Sequence, residues 1–161
     1  VASDVRENYE GLVNKGYKAI LAIRDVYPQK REDIPKIQYG FRYKLRTKPL
    51  EPILVLAVME IEAWFLAEHT HFERISEKLN IASIVCSVGF DPSTDDIEMR
   101  PAPARDLDEV YRMAGLAYSK TRARIQRTVN VLDYGEIYLS LPKRVSSLAR
   151  LVNALDSFFS T

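Results

Sequence analysis

Ile53-Leu54-Val55-Leu56-Ala57-Val58-Met59 is an unbroken apolar run, and it passes without a turn residue into Glu60-Ile61-Glu62-Ala63-Trp64-Phe65-Leu66. Apolar residues on consecutive positions, rather than alternating ones, are the pattern of a strand covered on both faces, as in a parallel sheet. After Met59 the period changes, and Ile61, Trp64 and Phe65 fall on one face of a helix. The stretch therefore predicts a buried parallel strand that feeds a helix.

Upstream, Ala19-Ile20-Leu21-Ala22-Ile23 has the same character and ends at Arg24-Asp25, with Pro28 barring its extension. Between the two runs, residues 29–51 carry seven bases (Lys30, Arg31, Lys36, Arg42, Lys44, Arg46 and Lys48) against three acids, with Ile34, Ile37, Phe41 and Leu45 suggesting a helix in part. Two buried strands joined by so long a connection are expected to be parallel and right-handed. At the start of the chain, Asp4 and Glu7 read as a capping box and Gly16 as a helix stop.

Downstream, residues 71–79 are helical in pattern, and 81–88 fit a third short strand or a helix equally well. Residues 91–109 hold seven acids, two bases and three prolines, which predicts a solvated loop. The C-terminal third reads as helices. Asp106 and Glu109 form a second capping box, Ser119 caps a helix that Gly135 ends, and Pro142 opens a last helix with Val145, Leu148, Val152, Leu155 and Phe159 on its core side. The expected fold is α/β, a small mainly parallel sheet flanked by helices, with extra helices at the C-terminal end.

The chain has 161 residues, 47% of them hydrophobic, with 23 Lys and Arg against 22 Asp and Glu. This suits one domain over residues 1–161 and excludes a disordered chain. The single cysteine, Cys86, excludes a disulfide framework. No apolar run spans a bilayer and no signal-peptide pattern is present, so a cytoplasmic protein without a membrane partner is expected. The chain starts at Val1 rather than Met, so it is expected to be processed or a piece of a longer protein.

Three groupings bear on chemistry. Asp25 ends the first strand while Glu60 and Glu62 follow the second, and ligands of open α/β sheets lie outside the carboxyl ends of the strands. Clustered carboxylates without His or Cys suit Mg²⁺ or Mn²⁺; the same acids also suit a helix first turn and a turn cap. Lys120, Arg124 and Arg127 lie within about 60° on a helical wheel, a geometry for phosphate or simply for a solvated face. Basic residues interleaved with Tyr39, Phe41 and Tyr43 in the crossover add weight to DNA or RNA as partner. His69 and His71, two apart, share no helix face, and Cys86 lies in an apolar run where thiols are inert.

The run from Ile53 to Glu68 resembles the Glu-x-Glu-Ala-Trp signature of a family of bacterial TOPRIM-like proteins of unknown function, similar to the nuclease domain of overcoming-lysogenization-defect proteins. Ala22-Ile23-Arg24-Asp25-Val26-Tyr27 resembles the strand bearing the TOPRIM acidic motif, and Tyr118-Ser119-Lys120 a Tyr-x-Lys stretch of the same family. The resemblance covers roughly residues 17–125. It implies a TOPRIM-like fold and Mg²⁺- or Mn²⁺-dependent nuclease or phosphotransfer chemistry at nucleic-acid phosphodiesters. Asp25, Glu60 and Glu62 would hold metal, Glu60 and Lys120 would be catalytic, and Lys120 would touch phosphate. Two positions depart from the family pattern. No strand ending in Glu precedes Val5, so a first strand is expected to be missing, and Tyr27 stands where a second Asp is usual. The competing expectation is a non-catalytic interaction or nucleic-acid-binding module, with a protein partner in a bacterial defence-type system.

Overall fold

A computed structural model describes residues 1–160. In chain order the elements are helix α1 (Ala2–Asn14), strand β1 (Ile20–Asp25), α2 (Ile34–Lys44), β2 (Pro52–Ala57), α3 (Glu62–Ala67), α4 (Thr70–Ile75), α5 (Ile81–Val88), α6 (Pro103–Arg112), α7 (Arg122–Val129), α8 (Tyr134–Leu139) and α9 (Ser146–Phe159). The protein is α/β. Among the described residues the sheet has two strands, β1 and β2, paired in parallel with Ile20 opposite Pro52 and Asp25 opposite Ala57. α2 is the crossover between them, and the helices gather towards the C-terminal end, as the sequence predicts.

Paired residues in this register share a face, so the sheet separates two apolar layers. On one side Ile20 and Ala22 meet Val5 and Tyr9 of α1 and Phe41 of α2. On the other, Val55 and Ala57 join Trp64, Leu66, Phe72, Leu107, Tyr111 and Leu148 from the later helices. Coverage is less complete than the apolar runs predict. Ile23 and Ile53 remain 40% and 39% exposed, because the helices of the larger layer sit over the buried end of β2.

Three other expectations are corrected, and one open choice is settled. β2 does not run straight into α3; a turn intervenes at Val58–Ile61, with Met59 in the left-handed region at φ 60°. Of the two readings of 81–88 the structure takes the helix, α5, since Asn80 accepts from the Ser83 N–H and Gly89 closes it at φ 76°. Residues 91–109 are not a solvated loop. Ile97 and Leu107 are buried, Glu98 accepts from the Ser146 and Ser147 N–H groups at 3.0 Å, and Arg100 Nε donates to buried Asp106 at 2.7 Å. Finally, the helix expected from Ser119 to Gly135 is two helices. α7 ends at Val129, and Asp133 caps α8 by accepting from the Glu136 N–H.

Smaller differences follow the same logic. α1 begins at Ala2, ahead of Asp4, and α6 begins at Pro103, ahead of Asp106. Pro142 lies in a separate 3-10 turn before α9, and Phe159 at the far end of α9 is exposed. No helix among the described residues is long and apolar enough to cross a membrane.

Candidate functional site

The carboxyl ends of β1 and β2 carry the acids the sequence places there. Asp25 is the last residue of β1, and the ladder extends past it through Val26 N–H to Ala57 carbonyl and Tyr27 N–H to Met59 carbonyl. The turn at Val58–Ile61 brings Glu60 back to this rim, and Glu62 opens α3. Trp64 fixes that helix from beneath, its Nε1 donating to Ser147 Oγ of α9 at 2.8 Å.

Each carboxylate is held through one oxygen. Asp25 Oδ1 accepts from the Ile61 N–H at 2.9 Å, so the end of β1 is tied to the turn leaving β2. Glu60 Oε2 accepts from the Ala104 N–H at 3.0 Å and thereby caps the first turn of α6. Glu62 Oε1 accepts from the Tyr118 hydroxyl at 2.8 Å. The second oxygen of each is aimed at one point, the Lys120 ammonium: Asp25 Oδ2 at 3.5 Å, Glu60 Oε1 at 3.0 Å and Glu62 Oε2 at 3.3 Å from Nζ. Asp25, the Glu60–Glu62 pair and Lys120, at least 35 positions from one another in the chain, thus meet at one point.

The electrostatics follow from that geometry. Partial burial opposes the Lys120 charge, but the Glu60 hydrogen bond and the charges of Glu62, Glu60 and Asp25 outweigh it and hold the ammonium above its ordinary pKa. Three carboxylates against one ammonium still leave two negative charges uncompensated. Glu62 is the most deeply buried of the three, 1% exposed: its Oε2 lies within ion-pair range of Lys120 yet accepts no hydrogen bond.

Whether these residues fit a divalent ion rests on that orphaned oxygen and on the donor set. Three hard carboxylate oxygens, each with its partner oxygen already fixed and with two charges in excess, match what Mg²⁺ or Mn²⁺ selects. As they stand they ring an ammonium at 3.0–3.5 Å, against about 2.0–2.1 Å for a magnesium–oxygen bond. Accordingly no group of three His, Cys, Asp or Glu among the described residues is arranged to hold a metal ion. The carboxylate oxygens are of the type such an ion takes, but the arrangement they adopt holds the half-exposed Lys120 ammonium.

The basic face drawn on a helical wheel is not a single face. Lys120 precedes α7 and turns to the carboxylates. Arg127 turns inward, donating to the Ala117 carbonyl at 2.6 Å and lying over the Tyr111 ring at 5.1 Å. Arg124 keeps an exposed guanidinium beside Ser119 Oγ, 3.1 Å away. His71 is fully buried, bonded to the Glu68 carbonyl and at 3.1 Å to the Tyr111 hydroxyl, while Cys86 is exposed on α5.

Two contributors were not legible as such. Tyr118 orients Glu62, and Asp108 Oδ1 holds the Tyr118 N–H at 2.7 Å. Asp108 is itself kept below the ordinary carboxylate range. Burial works against its charge, and the Arg112 hydrogen bond and the Tyr118 N–H overcome it. The signal for Tyr118 was its place two residues before Lys120; Asp108 was hidden among the acids of 91–109. A search of known protein families, of curated proteins and of solved structures found no significant match to the chain.

Proposed function

We propose that Asp25, Glu60 and Glu62 form a divalent-cation site at which the protein acts on nucleic-acid phosphodiesters, with Lys120 as the phosphate contact. One observation carries the reading: three carboxylates from two strand ends each spend one oxygen on a protein donor and direct the other to a common point. Mg²⁺ or Mn²⁺ bound there supplies a Lewis acid for a phosphoryl oxygen and a more acidic bound water.

The chain's own part is positional. Asp25, Glu60 and Glu62 are each held through one oxygen by the Ile61 N–H, the Ala104 N–H and the Tyr118 hydroxyl, and loading would displace Lys120 and draw their second oxygens closer together. Lys120 exchanges its carboxylate partners for a phosphate oxygen, and Arg124, exposed just beyond it, offers a bidentate donor to the same or the next phosphate.

The test is Mn²⁺ binding by calorimetry, together with Mn²⁺-dependent cleavage of labelled DNA and RNA. Wild type is expected to bind and cleave, and Asp25→Asn to lose both. A second reading is favoured by the ammonium already at the shared point: Lys120 is a permanent counterion, and the module binds partners, including those of a defence-type system, without catalysis. Absence of Mn²⁺ binding in wild type, with nucleic acid still bound, would select it.

A further inference from the structure

Helix α2 presents an amphipathic surface that the carboxylate site does not use. At 100° per residue, Ile34, Ile37, Phe41 and Leu45 point one way, and Phe41 is buried against α1 and β1. On the opposite side Arg42, Tyr39, Tyr43 and Lys36 fall within about 120°. Tyr39 and Tyr43 are 72% and 80% exposed, and their rings stack on each other with centroids 6.1 Å apart and planes 15° from parallel. The helix holds three bases and no acid. Arg42 has no acidic partner among the described residues and Lys36 makes only an exposed pair with Asp33 at 3.0 Å, while Lys44 falls beside Ile37 on the other side of the helix.

An i, i+4 aromatic pair stabilises a helix by a few tenths of a kcal/mol. That does not call for two of the most exposed large side chains of the molecule flanked by Arg42 and Lys36. We propose that this face binds a single-stranded polynucleotide, with unpaired bases stacking on Tyr39 and Tyr43 and phosphates contacting Arg42 and Lys36. The charge is complementary to a polyanion. Near-parallel exposed rings offer the sequence-tolerant platform that unpaired bases use and that a closed duplex cannot reach. The proposal deepens the nucleic-acid reading by naming the form of the substrate, and it rests on that reading only for what the bound strand is used for.

Binding is therefore measured without metal. Fluorescein-labelled oligomers of about 12 nucleotides, as single-stranded DNA, single-stranded RNA and duplex DNA, are titrated by anisotropy in EDTA. Tighter binding of either single strand than of duplex, by about tenfold, is expected. The Tyr39→Ala/Tyr43→Ala variant should weaken single-strand binding about tenfold or more, and Tyr39→Phe/Tyr43→Phe should restore it, because stacking needs the ring and not the hydroxyl. Lys36→Ala/Arg42→Ala should flatten the dependence of log K on log salt by roughly one to one and a half. Unchanged affinity in the double alanine variant, equal binding of duplex, or binding to phosphatidylglycerol vesicles with none to oligomers would overturn the proposal. Loss of Mn²⁺-dependent cleavage with oligomer binding intact would strike the carboxylate reading alone, so the two failures are distinct.

Discussion

Glu62 is the residue on which the rim depends most. It is buried and hydrogen-bonded through one oxygen only, by Tyr118. Replacing Tyr118 with Phe keeps the ring against Tyr111 but leaves both Glu62 oxygens without a hydrogen bond. An unsatisfied buried acceptor costs about 1–3 kcal/mol, so urea unfolding at neutral pH should show a loss of that order; a variant as stable as wild type would mean that Glu62 is held otherwise. Tyr111, one ring further in, gives a pH prediction. Burial pushes its pKa up to about 12, against the pull of the Thr128 hydrogen bond and the Arg127 charge. A raised folded pKa favours the neutral form in the native state. Its stability contribution is intact below the unfolded tyrosine value near 10 and is lost as pH rises towards 12, by up to about 1.4 kcal/mol per pH unit. Tyr111→Phe removes the hydroxyl that meets His71 and Thr128, so it should be less stable at pH 8 yet lose stability less steeply between pH 10 and 12. Urea midpoints at pH 8 and 11 check both halves.

At the scale of elements, the turn from β2 to α3 decides where the acids point. The tight reversal at Met59 lets Glu60 reach Lys120 and Ala104 at once, and it does so with a side chain in the left-handed region, where an L-residue costs roughly 1–2 kcal/mol. Met59→Gly relieves that strain. Since Met59 is only half-buried, the variant should gain about 1 kcal/mol, read as a higher thermal midpoint, with the Lys120 cluster unchanged by NMR. A lower midpoint would show that the Met59 side chain contributes more by packing than its backbone costs. This turn also marks how far the sequence could be read. The apolar run of β2, the change of period at Glu60 and the matching run of β1 announce themselves locally, and they sufficed to bring Asp25, Glu60 and Glu62 to one rim. The entry to α6 did not, because its cap is Glu60, 44 residues upstream, and a local reading sees only Asp106 and Glu109. The same holds for 91–109. Its composition is that of a solvated segment, but Glu98, Asp106 and Asp108 each find a donor, and for Glu98 it comes from the start of α9. The shared wheel face of Lys120, Arg124 and Arg127 failed for a related reason: Lys120 precedes the helix and Arg127 found Tyr111, which leaves Arg124 alone exposed there.

For the whole molecule, a two-stranded sheet dividing two unequal layers has a consequence for how the protein opens. The layer of α1 and α2 is small, its buried members being Val5, Tyr9, Ile20, Ala22 and Phe41. The layer of α3 to α9 buries several times as many side chains and includes Trp64, Phe72, Tyr111 and Leu148. Opening free energy follows buried apolar contact, so the first layer should open at lower free energy than the second. Native-state hydrogen exchange in low guanidinium is expected to show α1 amides exchanging through a sub-global opening, with α3, α6 and α9 exchanging only by global unfolding. Leu148→Ala, which empties a buried site in the larger layer at a cost of about 2–5 kcal/mol, should lower the exchange free energies of α3, α6 and α9 and leave the α1 opening nearly unchanged. Asp25 is bonded through its side chain to the Ile61 N–H on the more stable side, so the carboxylate rim should stay protected while α1 opens. If α1 and α3 amides instead exchange with one common free energy, the sheet transmits stability across its faces and the two layers fold as a single unit.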